Sequence, residues 1–472
     1  MTAPPTRTRD RLLSPAYAAT TIGMFALCAL VAFEALAVTT VMPSVARELD
    51  GVSLYALSFG APLASGVVGM VAAGAWSDRR GPAVPLLASL TLFTLGLVVC
   101  GTAPTMEILV AGRVVQGLGG GALTVGLYVL VGAIFPAQLQ PAVFASFAAA
   151  WVLPSLFGPA LAAAVAHAVG WRWVFLGATA LAAAAASLVA PSLRGLAAPA
   201  PGEVTPARSR LAWAAVGGVA VLVVELVGSA RGAVALVAVV ALGAVLAALR
   251  RLLPPGALVA RRGLPAVIAT RGLMSASFFC AEAYIVFVLQ DHWGLSAGRA
   301  GLALTGVGVV WAAASQVQSR LGERLSHVAA MSAGTGLLAG GTVGLVVVVG
   351  AAAHPALAVA AYVVAGAGMG LGYPRTSVAM LAASTERDRG FNSSALSVAD
   401  SLGGALALSA SGIAFAASER AGADPFLSVF VLAVALGVLA ALAAARTGQD
   451  RSGHSRSGQA GQAGQISTGS VC

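Results

Sequence analysis

The sequence predicts an all-α integral membrane protein of fourteen spans, and three observations predict it. Of its 472 residues, 58% are hydrophobic, close to the roughly 280 residues that fourteen crossings of about 20 apolar residues each consume. Only 9% are charged, against about 25% in a soluble domain, which excludes a soluble globular chain and a disordered one. The apolar runs keep no period-two alternation long enough for a membrane barrel. They carry Gly and Ala at the spacing that lets helices approach closely in lipid.

In chain order the runs fall at 17–42, 52–77, 83–102, 106–131, 142–167, 172–192, 211–229, 232–249, 266–290, 299–319, 327–350, 355–376, 391–417 and 425–445. The first follows Arg7, Arg9 and Arg11 and contains Ala35-Leu36-Ala37, which imitates a signal-peptide cleavage site. It is long and carries Glu34, so it is read as a retained span. The stretch 193–210 is read as a loop, as is 250–264 with its arginine pairs and Pro254-Pro255. The tail from Thr447 onward is rich in Gly, Ser and Gln and is expected to be disordered.

Charge sets the orientation. All 27 basic residues are arginine. With the N-terminus inside, 21 of them fall on the inner side, including Arg271 and Arg375. Five fall outside (Arg47, Arg172, Arg231, Arg299 and Arg420), and Arg113 lies within a span. The excess places both termini in the cytoplasm, and the net charge of +10 follows from arginine at the membrane surface rather than from nucleic-acid binding. Without lysine the chain carries neither a P-loop nor a Schiff-base lysine. Cys28, Cys100, Cys280 and Cys472 form no disulfide framework, and the five scattered histidines suggest no metal site.

Four ionisable residues sit inside apolar runs: Glu34, Arg113, Glu282 and Asp400. Each costs about 2.5–3.5 kcal/mol at a helix centre, so each is expected to face a cavity, pair with another, or bind a proton. At 1.5 Å per residue, Glu34 lies about 12 Å and Arg113 about 10 Å from the outer end of its span. Glu282 shares that level, and Asp400 lies in the inner half. A static Glu34–Arg113 pair that fixes packing is the structural alternative to a proton site, and a hydrogen bond to a neighbouring helix is the alternative for Glu282 and for Asp400. Glu225, near Arg231, is read as a surface pair.

Two patterns are set aside. Gly294-Leu295-Ser296-Ala297-Gly298 fits a nucleophile elbow but follows no strand. Asn392-Ser393-Ser394 fits a glycosylation acceptor but falls on the cytoplasmic side.

The motifs lie between and within the spans. Gly74, Asp78, Arg79 and Gly81 form G-x-x-x-D-R-x-G after span 2. Arg113, Gln116, Gly117 and Gly119 form R-x-x-Q-G-x-G in span 4, and Gly158-Pro159 stands in span 5. Phe33-Glu34-Ala35-Leu36 precedes Met42-Pro43 in span 1. Together these resemble the major facilitator superfamily, and within it the fourteen-span drug:proton antiporter branch, over residues 17–445. Two departures stand out. Pro82 and Ala83 replace the family's basic residues after the signature glycine, and Pro154, Ala162 and Ala163 replace three glycines of the span 5 antiporter motif. Arg320, Gly322, Glu323 and Arg324 look like a worn second copy of the signature, and Ala281-Glu282-Ala283 mirrors the setting of Glu34.

The resemblance implies a major facilitator fold of two six-helix bundles, at 17–192 and 266–445. Between them, 193–265 holds loops and two additional transmembrane helices, and 1–16 and 446–472 are cytoplasmic tails. It implies proton coupling through Glu34, Asp400, Glu282 and Arg113, and a substrate cavity touched by Phe25, Gln116, Phe278, Tyr284, Tyr362 and Met369. It implies a conformational latch at Gly74, Asp78, Arg79 and Gly81, and a gate at Gly158 and Pro159. The expected protein is not an enzyme. It exports small amphipathic drugs from the cell across the plasma membrane in exchange for protons by alternating access, as a monomer, with no cofactor beyond the proton gradient and no nucleic-acid partner. Lipid or metabolite export, or import, on the same fold is the alternative.

Overall fold

The computed structural model describes residues 12–15, 17–136, 139–194, 196, 207–227, 233–321, 324–385 and 388–448. Among them run fifteen α-helices, whose backbone polar groups are satisfied within each segment, as lipid demands. The first seven are α1 (Ala18–Glu48), α2 (Tyr55–Arg80), α3 (Ala83–Gly101), α4 (Met106–Ile134), α5 (Gln140–Ala149), α6 (Val152–Val169) and α7 (Arg172–Leu193). Then come α8 (Ala207–Val227), α9 (Ala233–Leu252), α10 (Leu264–Asp291), α11 (Ala297–Leu321) and α12 (His327–Gly350). The chain closes with α13 (Pro355–Ala382), α14 (Arg389–Arg420) and α15 (Pro425–Ala444). Eleven helices among the described residues are long and apolar enough to cross a membrane, and Leu153–Val169 and Ser209–Val224 are shorter apolar stretches. Glu225's side chain and Arg231, read as a surface pair, lie outside the described residues, as do Gly322, Glu323 and the tail beyond residue 448.

Two of the expected boundaries are corrected. The fifth run is two helices, α5 and α6, rather than one. Pro154 lacks an N–H to offer the Ala150 carbonyl, and its ring crowds that same oxygen, so the chain breaks at Ala150 and Trp151. The first helix runs on through Pro43 to Glu48, because neighbouring helices tolerate a proline within a membrane helix.

Successive helices alternate in direction, apart from α5 and α6, which follow one path, and they define two faces. The start face, where α1 begins, carries the Tyr17–Phe135 ring contact (5.2 Å) and the hydrogen bond from Gly263 N to Arg446 O (3.1 Å). The far face carries the ion pairs Arg172–Glu48 (2.9 Å) and His292–Asp424 (3.7 Å). Helices α1–α7 pack as one bundle and α10–α15 as a second. The halves meet where α2 packs on α14, α6 on α11, and α1 on α10 and α11. The extra helices α8 and α9 pack on each other, and α8 lies along the seam, against both α2 and α14.

The halves are closed at the far face. Tyr55 of α2 inserts beside Tyr284 and Phe287 of α10, with ring centroids 5.3 and 4.9 Å away, and its hydroxyl donates to the Ala283 carbonyl. Phe415 and Phe426 complete the cluster around Phe287. Above it, Arg47 Nη2 donates to Gln290 Oε1 at 2.8 Å. Beside it, Gly301 of α11 faces Thr40 and Pro159. Deeper, Gly308 of α11 faces Ser155, about 16 Å from the start of its helix.

Candidate functional site

The glycines of α4 set the register of its charged residue. A Cβ at Gly117 would overlap Ser65 and Pro62 of α2, and one at Gly119 would overlap the backbone at Phe93 of α3. The helix is therefore wedged between α2 and α3, with Arg113 one turn nearer the far face. Arg113 is buried and makes an ion pair with Glu34 of α1. Its Nη1 also donates to Gln116 Oε1 at 2.7 Å, and its Nε to the Ser58 carbonyl at 2.9 Å. One guanidinium thus ties α1, α2 and α4, and the structure brings Glu34 and Arg113 together.

A second network lies in the other half, toward the start face. Asp400 of α14 accepts from Arg271 Nε at 2.9 Å, from the Ser275 hydroxyl, and from Tyr373 Oη at 2.8 Å. Arg271 Nη1 reaches the Tyr373 carbonyl (3.2 Å), Thr376 Oγ1 (3.0 Å) and Ser377 Oγ (3.2 Å). Its guanidinium carbon also sits 3.2 Å from the centroid of the Tyr373 ring. Arg271 and Tyr373 escaped the sequence reading. By sequence Arg271 falls among the inner-side arginines, although the span 266–290 encloses it. Arg375 is a similar case: it is buried within α13 and donates from Nε and Nη2 to Gln318 of α11.

Glu282 stands apart from both networks. It is half-buried on α10 and enters no hydrogen bond or ion pair among the described residues. One turn back on the same face, Phe278 stacks on Tyr362 of α13 (5.6 Å) and meets Trp311 of α11 edge-on (5.2 Å). Trp311 in turn meets Tyr373 (5.6 Å), so an aromatic chain links this region to the Asp400 network. Tyr362 lies within electrostatic reach of Glu282, and its buried hydroxyl has no hydrogen-bond partner among the described residues.

The other expected contacts divide. Phe25 is half-buried on α1, toward the start face. Met369 is fully buried. Tyr284 belongs to the far-face aromatic cluster, against Tyr55 and Phe415. A Cβ on Gly158 would lie 3.5 Å from Phe33, and Pro159 faces Gly301 across the seam between halves. At the end of α2, Gly81 takes φ 76° and its N–H closes on Ser77 O at 2.9 Å, a backbone state that favours glycine. Gly74 lies one turn before Asp78. The side chain of Asp78 is outside the described residues, and Arg79 is exposed. Asn392 is buried in α14 and donates to Ser384 Oγ at 2.9 Å.

Comparison with known proteins places this geometry in a family. A model of the Major Facilitator Superfamily matches residues 22–288. A probable multidrug-efflux transporter of Mycobacterium tuberculosis is 34% identical over 183 residues, 39% of this chain and 39% of that protein. Multidrug resistance protein 3 of Bacillus subtilis is 31% identical over 138 residues, 29% of this chain and 27% of that one. The matches span about a quarter to two-fifths of the length of these curated relatives. Among solved structures, a D-xylose-proton symporter superposes with TM-score 0.67 at 15% identity, covering 92% of this chain and 98% of that one. A peptide transporter POT bound to alafosfalin gives 0.66 at 16% identity, over 91% and 95%. At these identities the structures speak to the fold alone.

Proposed function

Because this chain belongs to the Major Facilitator Superfamily, we propose that it is a secondary active transporter that exports small amphipathic compounds in exchange for protons. The observation that carries the reading is Glu282, a carboxylate at bilayer depth with no hydrogen bond or ion pair among the described residues, one turn from Phe278, whose ring packs on Tyr362 and Trp311. A bare carboxylate in this setting is relieved either by a proton or by a cationic guest, and aromatic faces add attraction for the cation. Competition between the two at one residue is the elementary step of exchange. The relative named for multidrug efflux, and the one named for multidrug resistance, support that direction of transport.

The paired carboxylates take the other roles. Protonation of Glu34 releases Arg113, Gln116 and the Ser58 carbonyl from one knot, loosening α1 from α2 and α4. Protonation of Asp400 does the same for Arg271 and Tyr373 across α10, α13 and α14. Each is a local charge event coupled to helices that line the seam between the halves. The closed far face is the outer side in this reading. The fourteen-span path, cytoplasmic termini, plasma-membrane location and monomeric state belong to the same proposal.

Proton movement from proteoliposomes, on adding lipophilic cations, neutral drugs and zwitterions, tests it. Substrate-triggered flux that vanishes in Glu34→Gln supports exchange. Silence across the panel from folded protein rejects it in favour of lipid or metabolite transport, the reading that the altered span 5, divided at Pro154, favours.

A further inference from the structure

A second site lies outside the bundle, on the extra helices. On α9, Leu236, Val240, Gly243, Ala247 and Arg250 recur at spacings of four and three and share one face. Leu236 and Val240 are both 65% exposed, and a Cβ on Gly243 would meet nothing within 4 Å. Gly243 and Ala247 therefore leave a shallow trough along an apolar surface. The trough opens into a groove of about 500 Å³ at the start face, lined by Trp213, Leu246, Arg250, Arg251 and Leu258. Arg251 lies 5.9 Å from the Trp213 ring. Neither Arg250 nor Arg251 hydrogen-bonds to, or ion-pairs with, a described residue, and no residue lining the groove is acidic.

We propose that this groove binds one anionic phospholipid. Arg250 and Arg251 hold the headgroup phosphate beside Trp213, and an acyl chain lies in the trough over Gly243 and Ala247. From Arg250 to Leu236 the trough runs about 21 Å, enough to hold a chain from the interface into the bilayer core. Orientation alone accounts for arginines at a helix end. It does not account for a tryptophan-floored groove continuous with an apolar trough. A free phosphate would use the arginines and leave the trough unused. Basic pockets between membrane helices take anionic headgroups by this chemistry, at about 1 kcal/mol per arginine.

Tryptophan quenching by brominated lipid tests the proposal. The full chain is reconstituted in phosphatidylcholine containing a graded fraction of brominated phosphatidylglycerol or, separately, brominated phosphatidylcholine. The difference between the parent protein and Trp213→Phe isolates Trp213. The expected result is half-quenching at a much lower fraction of the anionic lipid. Arg250→Gln raises that fraction about fivefold, and the double variant with Arg251→Gln about thirtyfold, while the zwitterionic lipid's value stays put. Gly243→Leu fills the trough, keeps both charges, and weakens quenching by the anionic lipid. Equal quenching of Trp213 by both lipids overturns the proposal, and that comparison needs no arginine variant to fold. Quenching indifferent to both arginines overturns it as well, leaving an ordinary bilayer-facing groove.

Discussion

Arg271 and Asp400 meet at 2.9 Å inside the second bundle, with the Tyr373 ring under the guanidinium and its hydroxyl on the other carboxylate oxygen. Three helices, α10, α13 and α14, are held by one ion pair. Removing one partner strands the other in a poorly solvated site, at a cost of about 3–5 kcal/mol. Arg271→Gln and Asp400→Asn should each lower the melting temperature of the solubilised protein. The double variant, with neither charge left, should recover most of the loss. A double variant as unstable as the worse single one would show that the pair is not the unit that matters.

The Glu34–Arg113 pair separates coupling from packing. Glu34→Gln keeps an oxygen for Arg113 to donate to and removes the carboxylate. Expected is a protein that melts near the parent's temperature while substrate-triggered proton flux falls to the level of empty liposomes. Arg113→Gln leaves Glu34 buried without its cation and should lower both flux and stability. Retained gradient-driven exchange in Glu34→Gln would remove Glu34 from the proton path.

These two networks show what the sequence made legible and what it did not. A carboxylate or guanidinium in an apolar run is conspicuous because its burial cost must be offset. Glu34, Arg113, Glu282 and Asp400 were therefore all identifiable before any coordinates. Partnership is a property of three dimensions. Asp400 and Arg271 lie 129 positions apart, and near the end of a span an arginine that serves the interior reads like one that marks the surface. The far-face cluster was hidden for the same reason, since nothing local to Tyr55 announces Tyr284 and Phe287. The break in the fifth run was legible in principle from Pro154, whose ring and missing N–H disrupt any helix interior.

Glu282 should decide which compounds the protein accepts. Glu282→Gln removes a carboxylate that is unpaired among the described residues and lies one turn from Phe278, whose ring packs on Tyr362 and Trp311. Exchange of lipophilic cations should fall sharply, and that of neutral drugs should change little. Phe278→Ala should weaken cation binding by a smaller step, about two- to thirtyfold for a cation–π contribution of about 0.5–2 kcal/mol. Competition of each compound against a fluorescent cation measures both, and an equal loss for cations and neutral drugs would refute the assignment.

Gly117 tests the wedge that sets Arg113's position. A side chain there collides with Ser65 and with the backbone of Pro62, and backbone cannot yield as a flexible side chain can. Gly117→Leu should cost about 1–3 kcal/mol or more and shift Arg113 away from Glu34. Gly132, with nothing within 4 Å of its would-be Cβ, is the control: Gly132→Ala should melt at or slightly above the parent's temperature. Equal melting of Gly117→Leu and the parent would show that α4 is not held by close backbone approach.

Tyr55 bears on the two-state motion itself. It is a first-half side chain set within the aromatic cluster of the second, and it makes both a hydroxyl contact and two ring contacts across the seam. Aromatic pairs contribute about 0.5–1.5 kcal/mol each beyond burial. Tyr55→Ala should therefore bias the halves away from far-face closure by about 2 kcal/mol, a population shift of about thirtyfold. Spin labels at Asp50 and Trp293, in the far-face turns that follow α1 and α10, report the separation directly. The parent should give one short distance, and Tyr55→Ala should add a longer one at the parent's expense. An unchanged distance distribution would mean that Arg47–Gln290 and the α6–α11 contacts close this face without Tyr55, and that the aromatic cluster is packing rather than gate.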